Sequence, residues 1–171
     1  MEPNAIPPAA GMHLRRLRDL TDFEVADGNP DVRGWDVRGN DGEKFGEVYE
    51  LIVEPEAMKV RYLEVELDAS FNVNERDRHI LLPIGAAALD DEADNVFVPS
   101  LTKEAVVNYP PYADIYISRE YEEAMLRALN LPVPIASSND FYTGDSYDAS
   151  RFYTRRPARL GSAQHPSENV S

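Results

Sequence analysis

Between residues 32 and 98 apolar and polar positions alternate over several short stretches, the period-2 signature of half-buried strands. Val60–Leu67 is the cleanest: Leu63, Val65 and Leu67 fall to one side, Tyr62, Glu64 and Glu66 to the other. Val32–Gly39 and Phe45–Glu54 read as two further strands, joined through Asn40-Asp41-Gly42, residues that tolerate positive φ in a hairpin turn. In the second of these Tyr49, Leu51 and Val53 share one side, with Val48 and Ile52 on the other. Both sides are partly apolar, as expected of a strand that bends across a small barrel. A polar loop from Asp68 to Asp77 leads into His79–Ile84, and the acidic turn Asp90, Asp91, Glu92 and Asp94 precedes Val96–Val98. The pattern predicts one core holding Trp35, Val37, Leu51, Val53, Leu63, Val65, Leu67, Leu82 and Val98. It makes Glu64 and Glu66 a stripe facing solvent or another subunit.

Helical signals are fewer. Thr102 is an N-cap for Lys103–Asn108, which Pro110 and Pro111 stop. Ser118 caps a longer helix from Arg119 to about Leu129, with Glu120, Glu122 and Glu123 near its positive end and Arg127 near its negative end. Tyr121, Met125 and Leu129 (or Ala128) form a stripe that should pack on the sheet. A short helix is expected around Leu14–Leu20. Successive strands lie too close for βαβ crossovers. The predicted fold is therefore mainly β, a small β-barrel with C-terminal helical decoration. The expected organisation is a flexible head over 1–20, a barrel domain with its C-terminal helix over 21–131, and an extended, partly disordered tail over 132–171.

Composition narrows the function. The chain has 171 residues, 17 basic against 31 acidic side chains, a formal charge of −14 and no cysteine. The charge disfavours nucleic acid, and the absent cysteines exclude disulfides, thiolate metal sites and thiol nucleophiles. The longest apolar run, Ile80–Leu89, is broken by Pro83 and Gly85 and falls short of the roughly 20 residues a spanning helix needs. With an acidic, proline-broken start that does not read as a signal peptide, the expectation is a soluble cytoplasmic chain without membrane insertion, which leaves peripheral docking open.

Candidate chemistry is sparse. His13, His79 and His165 are scattered without the spacing of metal ligands, and the acidic turn lacks the pattern of a calcium loop. No nucleophile elbow, phosphate-cradling loop or dinucleotide fingerprint occurs. The reading is of a protein that is not an enzyme, with no catalytic residue, cofactor or metal. Two Phe-Tyr-Thr triplets, at Phe141 and Phe152 with Tyr147 between, put aromatics into an otherwise polar tail. They either lie across the barrel of their own chain or dock on a partner, with Arg151, Arg155, Arg156 and Arg159 meeting the acidic barrel.

Several phrases together resemble the PRC-barrel family: Asp31-Val32-Arg33-Gly34-Trp35-Asp36-Val37, Gly42-Glu43-Lys44-Phe45-Gly46-Glu47-Val48, Arg61-Tyr62-Leu63-Glu64-Val65 and Ile80-Leu81-Leu82-Pro83-Ile84-Gly85. That family includes the cytoplasmic domain of the photosynthetic reaction-centre H chain, which this sequence resembles over roughly residues 20–160 without the H chain's membrane helix, and a domain of a ribosome-maturation protein. In the H chain, carboxylates and an arginine near this turn help proton entry toward a quinone. The resemblance keeps the arginine as Arg61 and one acid as Glu54; the other falls on Ala57, with Glu56 beside it as a substitute. Glu54, Glu56, Arg61, Tyr62 and Glu64 are thus the candidates for a partner surface or proton path.

Arg61 also stands on the side of Leu63 and Val65, where a guanidinium needs a carboxylate; Glu54 or Glu56, across the short turn, is the expected partner. The function implied is a non-enzymatic binding or assembly module that self-associates, most simply as a homodimer through exposed sheet edges. The alternatives are a peripheral accessory protein of photosynthetic electron transport that tunes proton uptake, an RNA-processing or ribosome-maturation-like adaptor, and a hydrolase or ligand-binding barrel.

Overall fold

Strands β3 (Lys44–Glu54) and β4 (Lys59–Leu67) form the long hairpin on which the molecule is built. They turn at 55–58, where Met58 takes a left-handed backbone with φ 56°. The computed structural model describes residues 14–154 apart from 22, 27, 72, 75–77, 91–92, 114–116 and 135–140. The other strands are β1 (Arg15–Arg16), β2 (Asp36–Gly39), β5 (His79–Pro83), β6 (Ala88–Leu89) and β7 (Asn95–Val98). They join one sheet in the order β5-β4-β3-β2-β7-β6, with β1 paired to the far end of β3. Every pairing is antiparallel except β2 with β7. The fold is mainly β with helices toward the C-terminus, as the pattern predicts.

Two irregularities in the β3–β4 pairing set which of its side chains face inward. The register steps from Val48↔Val65 to Glu50↔Glu64, so Tyr49 is an extra residue on β3. It steps again from Ile52↔Tyr62 to Val53↔Val60, so Arg61 is an extra residue on β4. Each such bulge resets the alternation and sharpens the twist of the hairpin. Val48 and Leu51, assigned to opposite sides by simple alternation, both end in the core, and Tyr49 is turned outward, 36% exposed.

The core is the one expected except for Trp35. Val37, Leu51, Val53, Leu63, Val65, Leu67, Leu82 and Val98 are buried, whereas Trp35 is only half-buried and packs against the core from the chain just before β2. The other side of β4 is covered as well. Tyr62 and Glu64 are fully buried, and only Glu66 of the expected stripe is exposed. The solvent-facing assignment of Glu64 is therefore corrected: Arg16 and His79 bond its carboxylate, while the 109–112 segment, helix α1 (Arg119–Ala128) and residues 141–153 form a second layer that reaches Tyr62 and β5.

That layer also closes the outer edge of β5. The Tyr112 amide donates to the His79 carbonyl at 2.7 Å, and the Tyr109 hydroxyl to the Leu81 carbonyl at 2.6 Å. Of the sheet edges expected to be exposed, the β5 edge thus has partners within its own chain.

Both predicted N-caps, Ser118 and Thr102, are formed. Ser118 Oγ accepts from the Tyr121 amide at 3.1 Å, and the left-handed Asn130 (φ 59°) closes the end of α1. Residues 105–108 make a single 3₁₀ turn, with Thr102 Oγ1 accepting from the Ala105 amide. The helix expected at 14–20 is instead β1 followed by a 3₁₀ turn at Leu17–Asp19, because Arg15 and Arg16 pair with Val53 and Ile52.

Residues 141–154, expected to be extended, fold back on the barrel. They contain a 3₁₀ turn (Asp145–Tyr147) and a short helix, α2 (Ala149–Tyr153), and bury Phe141, Tyr147 and Phe152 completely. This arm lies directly against Gly85, where any Cβ would collide with the Asp145 carbonyl oxygen. Of the residues singled out in the sequence, His13, Asp91, Glu92, Arg155, Arg156, Arg159, His165 and the 164–171 end lie outside the described residues.

Candidate functional site

The covered side of the β3–β4 hairpin carries two groups of buried acids. The first is Glu50 and Glu64, which pair directly across the strands and are 1% and 0% exposed. Arg16, brought alongside by β1, gives Glu64 a bidentate bridge, Nε to Oε1 and Nη2 to Oε2, both 2.9 Å. His79 Nδ1 lies 2.7 Å from the same Oε2. Glu50 receives Arg18 Nε at 2.7 Å and Arg33 Nη1 at 3.2 Å. Burial alone would push the Glu64 carboxyl up, but the His79 and Arg16 hydrogen bonds outweigh it and hold it below the ordinary carboxylate range.

Above these acids lies an outward-facing surface. Arg18 stacks over the Tyr49 ring at 4.6 Å, with Arg16 at 6.0 Å, and His79 meets the same ring edge-on at 4.6 Å. The Tyr49 hydroxyl accepts from Arg18 Nη1 at 3.4 Å.

The second group centres on Glu122, fully buried on α1. Its Oε2 accepts from the hydroxyls of Tyr62 (2.8 Å) and Tyr142 (2.5 Å), and its Oε1 from Arg119 Nε (3.1 Å). Tyr147 joins through its hydroxyl, 2.6 Å from that of Tyr62. Burial drives the Glu122 carboxyl above its ordinary value despite these donors, and it drives the Tyr62, Tyr142 and Tyr147 phenols up as well. Arg119 also lies 3.8 Å above the Phe141 ring. The network binds the arm to the barrel.

The five sequence candidates fall in three places. Arg61 Nε donates to Glu54 Oε1 at 2.7 Å, which is the predicted pair; its Nη1 reaches the Tyr147 carbonyl at 3.2 Å and its guanidinium covers the Tyr142 ring at 5.2 Å. Tyr62 belongs to the Glu122 network and Glu64 to the Glu50 pair. Glu56 stands exposed on the hairpin turn.

Sequence reasoning passed over Glu50, Tyr49, Arg16, Arg18, Arg33, His79 and Glu122 as members of these groups. Glu122 carried a usable signal: with Leu126 and Leu129 it lies on the i, i+4, i+7 stripe, and it was assigned only to the helix dipole. Glu50 and its arginines carry none, because Arg18 sits in the 3₁₀ turn after β1 and Arg33 just before β2, and only the folded sheet brings both to Glu50.

Among the described residues no group of three His, Asp or Glu side chains is arranged to hold a metal ion, and no helix is long and apolar enough to cross a membrane. Each buried glutamate of the two groups is hydrogen-bonded by arginine, histidine or tyrosine side chains of its own chain. What faces outward is a rigid array of guanidinium and aromatic groups, a composition suited to recognition.

Comparison with known proteins agrees with this architecture. Residues 24–105 match the family model described as PRC-barrel domain. An uncharacterized protein of Deinococcus radiodurans is 35% identical over 92 residues, which is 53% of this chain and 31% of that protein's length. The match thus spans about a third of the relative.

Proposed function

We propose, from the premise that residues 24–105 form a PRC-barrel domain, that this chain is a non-enzymatic binding and assembly module. The observation that carries this reading is Tyr49: a bulge turns it out of the sheet, and Arg18 and His79 fix its ring over a pair of buried carboxylates. Fixing an exposed aromatic side chain in advance lowers the entropy lost when a partner docks on it.

The first partner to consider is a second copy. Since two carbonyls of the β5 edge are bonded within the chain, that edge is not the route for strand addition, and self-association through a side-chain face is the form we propose. A cytoplasmic site of action, independence from metals and cofactors, and no direct contact with nucleic acid belong to the same proposal. The Glu54–Arg61 pair serves it as a structural bridge, because that guanidinium is engaged by Glu54, by the Tyr147 carbonyl and by the Tyr142 ring.

Light scattering over a range of concentrations, with and without a chelator, tests the self-associating form. A dimer mass that is unchanged by chelation is the expected result. A monodisperse monomer throughout, or a mass that shifts on chelation, overturns it.

A further inference from the structure

We propose that the cleft between residues 23–29, the tip of the β3–β4 hairpin and helix α2 is where a second copy of this chain docks, each copy inserting Met58 into the cleft of the other. The proposal deepens, and rests on, the self-associating form of the binding-module reading, and it uses residues other than Tyr49.

Shape and backbone point to the inserted residue. The cleft is about 580 Å³, with Leu17, Phe23, Val25, Val53, Val60 and Tyr153 among its lining. Met58 stands on its rim and is 76% exposed, the most exposed large apolar side chain among the described residues. Its backbone is left-handed, φ 56°, where glycine or asparagine would sit with less strain. The turn thus holds a long apolar side chain in water at a position whose geometry favours a smaller residue. A methionine adapts to an irregular apolar gap, and its sulfur gains from contact with rings such as those of Phe23 and Tyr153.

Charge points to the occupant. Glu24 and Lys59 are the two charged side chains of the described lining, so the cleft is near neutral in a chain whose formal charge is −14. Two such chains repel each other as wholes, and a neutral face is where they can meet. Glu24 and Lys59 are both exposed, and among the described residues neither side chain has an ion-pair or hydrogen-bond partner. Glu54, which faces Lys59 across the hairpin, is bonded to Arg61 instead. Glu56, on the same turn, lies outside the lining. In a two-fold dimer, residue i of one copy meets residue j of the other, and j meets i. An axis beside Met58 therefore sets Lys59, next to the inserted methionine, against Glu24 in the wall of the receiving cleft, twice per dimer. A small apolar ligand would use neither the two opposite charges nor the exposed methionine.

The test is sedimentation velocity of the full chain over a concentration series. The parent should dimerise, and Met58→Gly, Glu24→Lys and Lys59→Glu should each weaken the dimer at least about tenfold. All three positions are exposed, and glycine relieves the backbone at 58, so the variants should melt no lower than the parent. Mixing Glu24→Lys with Lys59→Glu is the decisive measurement. Each variant alone sets like charges together, whereas the mixed dimer regains two opposite pairs and should form as the parent dimer does. A dimer unaffected by Met58→Gly, or single variants that the mixture does not rescue, overturns this interface and leaves self-association standing. A parent that stays monomeric overturns both, and saturable binding of anilinonaphthalene sulfonate to that monomer would assign the cleft to a small apolar ligand instead.

Discussion

Glu50 and Glu64 face each other across β3 and β4 as two fully buried carboxylates, a like-charge pairing that destabilises a sheet unless other groups compensate. The compensation comes from outside the hairpin: Arg16 and Arg18 from the chain before it, Arg33 from the chain before β2, and His79 from β5. The carboxylate pair therefore ties the head of the chain and both flanks of the hairpin to one point.

Removing one cation should be costly. Arg16→Met leaves Glu64 buried with His79 as its remaining hydrogen-bond partner, and should lower stability by about 3 kcal/mol, the lower end for breaking a buried pair because Arg16 is partly exposed. Replacing Arg16 and Glu64 together by apolar residues should cost less than Arg16→Met alone. Urea denaturation of the parent, single and double variants measures both, and a double variant no better than the single one would count against a charge-based account.

The two acid groups should respond to pH in opposite senses. Glu64 is held below its ordinary value, so its contribution is present above the unfolded carboxylate pKa and is lost as pH falls through the folded one. Glu122 is raised, so folding favours its protonated form, and its contribution falls as pH rises from the ordinary value through the folded pKa. Relative to Glu64→Gln, the parent chain should lose stability on acidification. Relative to Glu122→Gln, it should lose stability on the rise toward neutrality. Urea midpoints across this range for the three chains give the two slopes, and slopes of the same sign would contradict the assignment.

The two groups also mark where sequence reasoning stopped. The Arg61–Glu54 pair was legible because a short turn of known length sets its two ends side by side, and an arginine among apolar residues demands a carboxylate. Strand existence, the Ser118 cap and most of the core were legible for the same kind of reason, local pattern. The bulges at Tyr49 and Arg61 were not, since a one-residue shift of pairing depends on the partner strand and leaves no local mark. Glu64 looks solvent-facing because period 2 says only that it opposes Leu63 and Val65; it cannot say that Arg16 from β1 and His79 from β5 cover its carboxylate. The aromatic triplets announced a buried role, and the location of their docking site at Gly85 was visible only in three dimensions.

That docking site gives a third expectation. Gly85→Ala places a Cβ against the Asp145 carbonyl oxygen and the Ser146 backbone, groups that cannot rotate away. The arm must shift, at a cost of about 1–3 kcal/mol as in other overpacked sites. Hydrogen exchange should speed up across 141–153 and on the turn at 84–86 while β3 and β4 remain protected. Uniform acceleration through the whole sheet would mean that the arm does not respond as a separate unit.

For the hairpin core, Leu63→Ala removes a fully buried side chain paired with Leu51 and Leu82 and should cost about 2–5 kcal/mol. A loss below about 1 kcal/mol by denaturant titration, the scale of a surface change, would show that this position can collapse without a cavity.

The sharpest expectation concerns Arg61. Its side chain is 13% exposed and makes three contacts that join separate parts of the molecule: Glu54 at the end of β3, the Tyr147 carbonyl of the arm, and the face of the Tyr142 ring. Because it is the extra residue of the β4 bulge, its guanidinium leaves the strand at the point where hairpin and arm meet. Arg61→Met keeps the length of the stem but removes the charge from Glu54 and the donor from the Tyr147 carbonyl, so it should cost about 2–3 kcal/mol, the scale of a lost charge-assisted hydrogen bond in a partly buried place. Arg61→Lys keeps the charge without the planar fork, and should recover only part of that loss, since one ammonium cannot reach Glu54 and the carbonyl with the same geometry. Thermal melts of the two variants, with limited proteolysis at the arm, distinguish a bridge from a binding site. Destabilisation in the order Met, Lys, parent, accompanied by earlier cleavage near 141–153, supports the bridge. An unchanged melting curve in Arg61→Met, with lost binding of a partner, would transfer Arg61 and Glu54 from the structure's support to its recognition surface.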